Sequence, residues 1–304
     1  MMPLPSIHNL RTLARVTASY ASRPLPLAIS LRIERVLRGW EEARRLQQAD
    51  GTVISYAKSG RTWFRVLISR YFAKKYGFAE GRTMEFDEFH RANPAVPVLL
   101  FSHDNYLKDY MGHDRKFDLY GRSRVVLMVR DPRDTAVSQY FQWKHRISAR
   151  KKLLNGYPEE DTGIFDFITS DTVGIPKNIA FMNAWAADLE RFSELLLVKY
   201  EDLKADTGGE LGRALRFLKQ DPTEAELQDA AQFASIDNMR SMERQNAGRL
   251  LANPRLTPGD VNDPSSFKVR RAKVGGWRDY VTVEQAGAID AMMHERLSPL
   301  FGYR

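Results

Sequence analysis

The stretch SYAKSGRTWFR, residues 55–65, joins a β-prone run, TVISYA (52–57), to a segment where Trp63, Val66, Leu67, Arg70 and Tyr71 recur at helical spacing. A strand that ends in Lys58-Ser59-Gly60 and runs straight into a helix makes an anion site. The first N–H groups of the helix point outward without a helical acceptor, and the helix dipole adds positive potential. Gly60 lets the backbone approach an anion closely, while Lys58, Ser59 and Thr62 add ammonium and hydroxyl donors. A solvated loop lysine beside an ordinary turn is the competing reading of these residues alone. The pattern is not a Walker A loop, because Gly51 lies seven residues before Lys58 and the lysine precedes its glycine.

Three more β-prone runs follow: VPVLLFSH (96–103), RVVLMVR (124–130) and ELLLVKYEDL (194–203), the last read as a strand with a trailing loop. RVVLMVR is continuously apolar inside its flanking arginines, as expected of a strand buried on both faces. Behind it, Asp131 as N-cap and Pro132 at the first helical position start a helix carrying Ala136, Val137, Tyr140 and Phe141. Further helices are expected at 206–219, 223–234 and 282–297. Strands alternating with helices place the chain in the α/β class: one domain over 1–304, with a central, mostly parallel sheet flanked by helices. Residues 1–50 read as an N-terminal helical segment. Residues 144–180 and 241–270 fit no clean period, and their polar, Pro/Gly-punctuated composition reads as lids over a site.

Open α/β sheets bind ligands at the carboxyl ends of their strands. Arg130 ends the buried strand and Ser138 lies eight residues later on the next helix, at the same sheet edge as Lys58. Arg130 has a planar fork suited to phosphate, although pairing with Asp131 or Asp134 is its bland alternative. Two anion sites on one edge point to one ligand with two separated phosphates.

Composition agrees with such a ligand without selecting it. The 304 residues carry a formal net charge of +8, which favours anionic partners. There is no cysteine, which excludes disulfides and thiolate metal sites. No apolar run reaches the length of a membrane span, and Arg32, Glu34 and Arg35 interrupt any signal-peptide core. The expectation is a cytoplasmic protein, with peripheral membrane contact by the amphipathic beginning as a secondary reading.

The ordered motifs resemble those of the sulfotransferases that use 3′-phosphoadenosine 5′-phosphosulfate (PAPS). The family's 5′-phosphosulfate loop, Tyr-Pro-Lys-Ser-Gly-Thr-Thr-Trp, is similar to Tyr56-Ala57-Lys58-Ser59-Gly60-Arg61-Thr62-Trp63, and implies a P-loop-like phosphosulfate-binding loop here. Its 3′-phosphate segment resembles Arg130-Asp131-Pro132-Arg133-Asp134-Thr135-Ala136-Val137-Ser138. The resemblance implies that Tyr200 contacts adenine, with Ser235, Ile236 and Met239 as an adenine wall. It also implies that RRAKVGGWRDYVT (270–282) closes over the 3′-phosphate through Arg270, Arg271 and Gly275. Ala57 replaces a family proline, Arg61 a threonine, Ala272 a glycine and Gly276 an aspartate, while Trp277 reads equally well as core.

The activity so implied is in-line transfer of a sulfuryl group from PAPS to a hydroxyl or amine acceptor, leaving adenosine 3′,5′-bisphosphate (PAP) and using no metal. Lys58, His103 and Ser138 are the implied catalytic residues. The family's Lys-Thr-His base motif is matched by Phe101-Ser102-His103, which keeps the histidine and loses the lysine. His8, His90, His113, His145 and His294 compete, but only His103 ends a strand; Asp104 and Glu88 are the carboxylate alternatives. As the base, His103 is expected to titrate with a histidine-like pKa, and Phe101, in place of the family's lysine, makes the pocket beside it more apolar and helps keep the imidazole neutral. The lid composition admits a small-molecule, carbohydrate or lipid acceptor. A nucleotide-dependent kinase shares the basic crevice but lacks Walker A. A nucleic-acid-binding module would explain the charge, yet its basic residues are dispersed without aromatic interleaving, so no nucleic-acid partner is expected.

Overall fold

Alternate residues of a strand face opposite sides of its sheet, and RVVLMV obeys this through two separate cores. Val125, Leu127 and Val129 pack in one, while Val126 and Met128 pack in the other. The computed structural model describes residues 7–247 and 254–304; residues 1–6 of the N-terminal segment and 248–253 of the second expected lid lie outside them.

In chain order the elements are α1 (Ile7–Ala21), α2 (Leu27–Gln48), β1 (Gly51–Ser55), α3 (Arg61–Tyr76), α4 (Glu88–Ala92), β2 (Leu99–Ser102), α5 (Asn105–Met111) and α6 (Lys116–Tyr120). Then come β3 (Arg124–Val129), α7 (Pro132–Arg146), α8 (Ala149–Asn155), α9 (Ile164–Thr169), α10 (Ile175–Asp188), β4 (Leu195–Lys199) and α11 (Tyr200–Ala205). The chain continues with α12 (Thr207–Phe217), α13 (Glu224–Phe233), α14 (Ile236–Asn246) and α15 (Val283–Arg296). Short 3₁₀ turns punctuate the loops.

The four strands are all parallel, in the order β2-β1-β3-β4. Every residue of β1 is buried, as a central parallel strand requires. One face of the sheet is covered through Ile54, Leu127, Trp143, Phe181, Trp185 and Ile289, and the other through Val53, Phe64, Met128, Val198 and Leu215. From β1 the chain moves outward to β2, then returns across β1 to β3. The topological switch therefore lies between β1 and β3, where an open α/β sheet leaves its binding crevice. No helix among the described residues is long and apolar enough to cross a membrane.

Two expectations of local structure change. The loop after β4 is a helix, α11. Most of 144–180 is also helical, because α8, α9 and the start of α10 are short or buried on several faces and leave no single apolar stripe. In α10, Ile175, Asn178, Ile179, Phe181, Met182 and Trp185 are all buried. Of the second expected lid, 241–246 belong to α14, whereas 254–270 is irregular, as expected, and is tied down by the fully buried Glu243 of α14. This carboxylate accepts from the backbone N–H of Lys268 (2.6 Å) and Val269 (2.9 Å) and from Arg146 (2.9 Å).

Candidate active site

The turn after β1 is built from two left-handed residues, Lys58 (φ 72°) and Gly60 (φ 92°). Such backbone is uncommon for a lysine. Gly60 is required twice over. Its φ suits glycine, and a Cβ there would lie 2.7 Å from Cδ2 of Tyr200. Helix α3 starts immediately, so its first N–H groups open into a crevice of about 630 Å³ lined by Lys58, Gly60, Arg61, Thr62 and Trp63. Ser59 departs from expectation: it is 1% exposed, lies beneath the turn, and does not line the crevice.

Arg130, at the end of β3, reaches the same turn. One terminal guanidinium nitrogen donates to the Lys58 carbonyl at 3.3 Å and the other to the Lys273 carbonyl at 3.4 Å. Asp134 is 3.8 Å away, a loose pair, while Asp131 is engaged by Arg133 at 2.7 Å. Arg130 Nε is buried without a hydrogen-bond partner, and the guanidinium lies 4.2 Å from the Tyr200 ring centroid. Ser138, on the same face of α7 as Asp134, lines the crevice beside it. An orphaned buried donor next to a lysine ammonium fits an incoming phosphate.

Tyr200, Trp63, Ser235, Ile236 and Met239 line one wall together. Trp63 donates its indole N–H to the Ala234 carbonyl at 2.8 Å and meets Tyr200 edge-on, with ring centroids 5.7 Å apart. These aromatic and apolar faces suit a base.

The last loop is anchored by Asp134, which accepts from the N–H of Gly275 (2.7 Å) and of Trp277 (3.0 Å). Gly275 (φ 71°) is thus a turn that aims the loop, not a lining residue. Ala272, where the resembling family has glycine, is also left-handed (φ 50°), so this alanine sits in backbone that favours glycine. Arg270 and Arg271 both line the crevice. Arg270 donates to the Tyr280 hydroxyl and stacks 3.8 Å from the Phe141 centroid, whereas Arg271 pairs with Asp279 at 2.7 Å. Trp277 is both core and edge: 2% exposed, packed in the first core, and touching the crevice.

The lysine ammonium is perturbed by this setting. Burial, then the cations Arg146 and Arg130, push Lys58 down to about 7, with Arg270 adding to the effect.

Of the histidines whose side chains are described, His103 alone lines the crevice; the side chain of His8 lies outside them. Its Nδ1 donates to the Ser55 carbonyl at 2.9 Å, since a carbonyl can only accept. That bond fixes the tautomer and leaves Nε2 with its lone pair. Burial, followed by the charges of Arg61, Lys151 and Lys268, pushes the imidazole well below the ordinary histidine value. The direction is the one expected of an apolar pocket, and the shift is larger than a merely histidine-like value. The two carboxylate alternatives are placed elsewhere. Asp104 is buried against Lys116 at 2.6 Å and accepts from the Tyr120 hydroxyl, and Glu88 pairs with Arg82 on α4, away from the crevice.

A family comparison agrees with this geometry: the sulfotransferase domain matches residues 48–301. The chain belongs to the sulfotransferase family. Rabbit amine sulfotransferase is 24% identical over 269 residues, 83% of this chain and 82% of that protein. Rat sulfotransferase 2A1 is 26% identical over 179 residues, 58% of this chain; the match spans 57% of the rat protein's length. The solved structure of mouse sulfotransferase SULT7A1 complexed with PAP shares the fold, with a TM-score of 0.54 and 20% identity over 84% of this chain and 89% of that one.

Within this sulfotransferase site, sequence reasoning missed Glu42, Lys151, Arg255 and Lys268, which line the crevice near His103. They come from α2, α8 and the 254–270 segment; the basic run 144–152 contains Lys151, but no local pattern singles out any of the four. Glu42 accepts from the Ser102 hydroxyl, and burial, then the nearby Asp104, raises its pKa to about 7. Arg61, from the first turn of α3, lines the crevice beside them. Burial lowers its pKa to about 10, and the charges acting on it are those of Arg255, Glu42, Tyr106 and Glu85, on the His103 side of the crevice.

Proposed function

We propose that this protein works in the cytoplasm, transferring a sulfuryl group from PAPS to a hydroxyl or amine of a small-molecule acceptor, and releasing PAP. The observation that carries the reading is the meeting of Lys58 and Arg130 at the β1/β3 switch, with Arg130 bonded to the Lys58 carbonyl at 3.3 Å. Lys58 and the first N–H groups of α3 hold the 5′-phosphosulfate, Arg130, Ser138, Arg270 and Arg271 the 3′-phosphate, and Trp63, Tyr200, Ile236 and Met239 the adenine.

The chemistry asked of these residues is positional and electrostatic, as in phosphoryl transfer. The acceptor oxygen attacks sulfur in line, the bond from sulfur to the bridging oxygen breaks, and that oxygen leaves on the 5′-phosphate. Lys58 and the loop N–H groups stabilise the departing charge. A phosphosulfate beside Lys58 raises its pKa again, so the ammonium is charged when needed. His103 Nε2 takes the acceptor proton, its Nδ1–H held by Ser55. The segments 144–180 and 254–270 carry Lys151 and Lys268 to the crevice mouth, in keeping with a role as lids.

The deciding experiment offers ³⁵S-labelled PAPS with a panel of phenols, amines and hydroxysteroids, and ATP with Mg²⁺ in parallel. Labelled sulfate ester or sulfamate with stoichiometric PAP is the expected result. ATP turnover without PAPS turnover would overturn the reading in favour of a kinase.

Arg130→Ala is expected to weaken PAP binding by about 1.5–3 kcal/mol, the size of a charge-assisted hydrogen bond. Adenosine 5′-phosphate, without the 3′ group, should scarcely register the change. Calorimetry giving equal losses for both nucleotides would assign Arg130 a structural role instead.

A further inference from the structure

On its His103 side the crevice carries cations beyond the residues assigned above to the donor. The walls there come from α2, α3, α8 and the 254–270 segment, and include Arg61, Lys151 and Lys268. These are the cations whose fields reach the His103 ring. Neither the Arg61 nor the Lys151 side chain has a hydrogen-bond or ion-pair partner among the described residues, and one terminal nitrogen of Arg61 is buried without one. Among the described residues the Lys268 ammonium reaches only the Arg255 carbonyl, at 3.2 Å.

The carboxylates nearby do not balance them. Glu85 is shared by Arg255 (2.7 Å) and Arg65 (3.2 Å), and Glu42, which also lines the crevice, accepts from the Ser102 hydroxyl and makes no ion pair among the described residues. The residues outside the described set, 1–6 and 248–253, contain no Asp or Glu that could supply a partner. Lys151 is accessible to water yet enclosed by neighbouring protein at the concave mouth, and Arg38, Arg61 and Arg255 oppose its charge. A protein that gathers unpaired cations around a concave site raises the local concentration of anions there.

We infer that the acceptor carries an anionic group, a carboxylate, sulfate or phosphate, close to the hydroxyl or amine that is sulfated, and that Arg61 and Lys151 hold it. The inference rests on the sulfotransferase reading above. It differs from donor recognition because the charges acting most on Arg61 are those of Arg255, Glu42 and Tyr106, with none of Lys58, Arg130 or Arg270 among them. A neutral phenol or alcohol would leave the buried Arg61 nitrogen unsatisfied and the Lys151 charge unpaired, whereas an anionic acceptor satisfies both.

The test is calorimetry on the intact protein saturated with PAP. The probes are 4-hydroxybenzoate, 4-hydroxybenzenesulfonate and the neutral methyl 4-hydroxybenzoate. At least one anionic probe should bind about tenfold or more tightly than the ester, the scale of a charge-assisted contact. Lys151→Gln, on an exposed helical position, should remove most of that preference while PAP affinity stays unchanged. No anion preference, or a preference that Lys151→Gln leaves intact because the anion sits on Lys58, would overturn the inference. Failure to bind PAP at all would instead sink the sulfotransferase reading, so the two outcomes are distinguishable.

Discussion

Lys58→Ala is expected to lower kcat by about 10²-fold or more, since it removes a charge aimed at an oxygen that becomes anionic only as the bond to sulfur breaks. The loss in PAP affinity should be smaller, because the α3 N–H groups and Arg130 remain. A second signature follows from the environment. Burial and the cations Arg146 and Arg130 hold the Lys58 ammonium to about 7 in the free protein. The reactive form is the protonated one, so kcat/KM for PAPS should fall as pH rises through about 7. Bound donor pushes that pKa up, so kcat itself should hold to higher pH. In Lys58→Ala the alkaline limb of kcat/KM should vanish. Steady-state kinetics at saturating acceptor measure both quantities. Near-normal kcat would return Lys58 to the role of a loop lysine.

His103→Asn should cost about 10²–10⁴-fold in kcat, the usual contribution of a positioned general base. Asparagine can keep the bond to the Ser55 carbonyl through its amide N–H, so folding and PAP affinity should survive. The pH dependence is the sharper test. A base must be neutral, so activity rises with pH through its pKa. Burial and the fields of Arg61, Lys151 and Lys268 place that pKa well below the ordinary histidine value. The acid limb should therefore lie below about pH 6.5, with kcat flat from there upward. A folded, active His103→Asn variant with an unchanged profile would remove His103 from the mechanism. Neither Asp104 nor Glu88 could replace it from its observed position, one buried on Lys116 and the other paired on α4. Glu42, raised to about 7 beside Ser102, would then be the carboxylate to examine.

The donor end of this site was legible in the amino-acid order, and the reason is locality. A strand, a two- or three-residue turn and the first turn of a helix are contiguous, so Lys58-Ser59-Gly60 and Arg130-Asp131-Pro132 each carry their own geometry: φ at Gly60, an N-cap at Asp131, proline at the first helical position. The parallel sheet was legible for a similar reason, since RVVLMV is apolar on both faces of a period-two strand. What contiguity does not encode is which residue of a turn looks outward. Ser59 points into the protein and Gly275 aims a loop, although both belong to recognisable motifs. At the acceptor end His103 and the two lid segments were legible, but which of their residues meet was decided by tertiary structure. Glu42, Arg61, Lys151, Arg255 and Lys268 lie up to 226 positions apart and converge only after α2, α8 and the 254–270 segment pack around β2. Their pKa values follow from that convergence, because burial and opposing charge are properties of the assembled crevice and of no single segment.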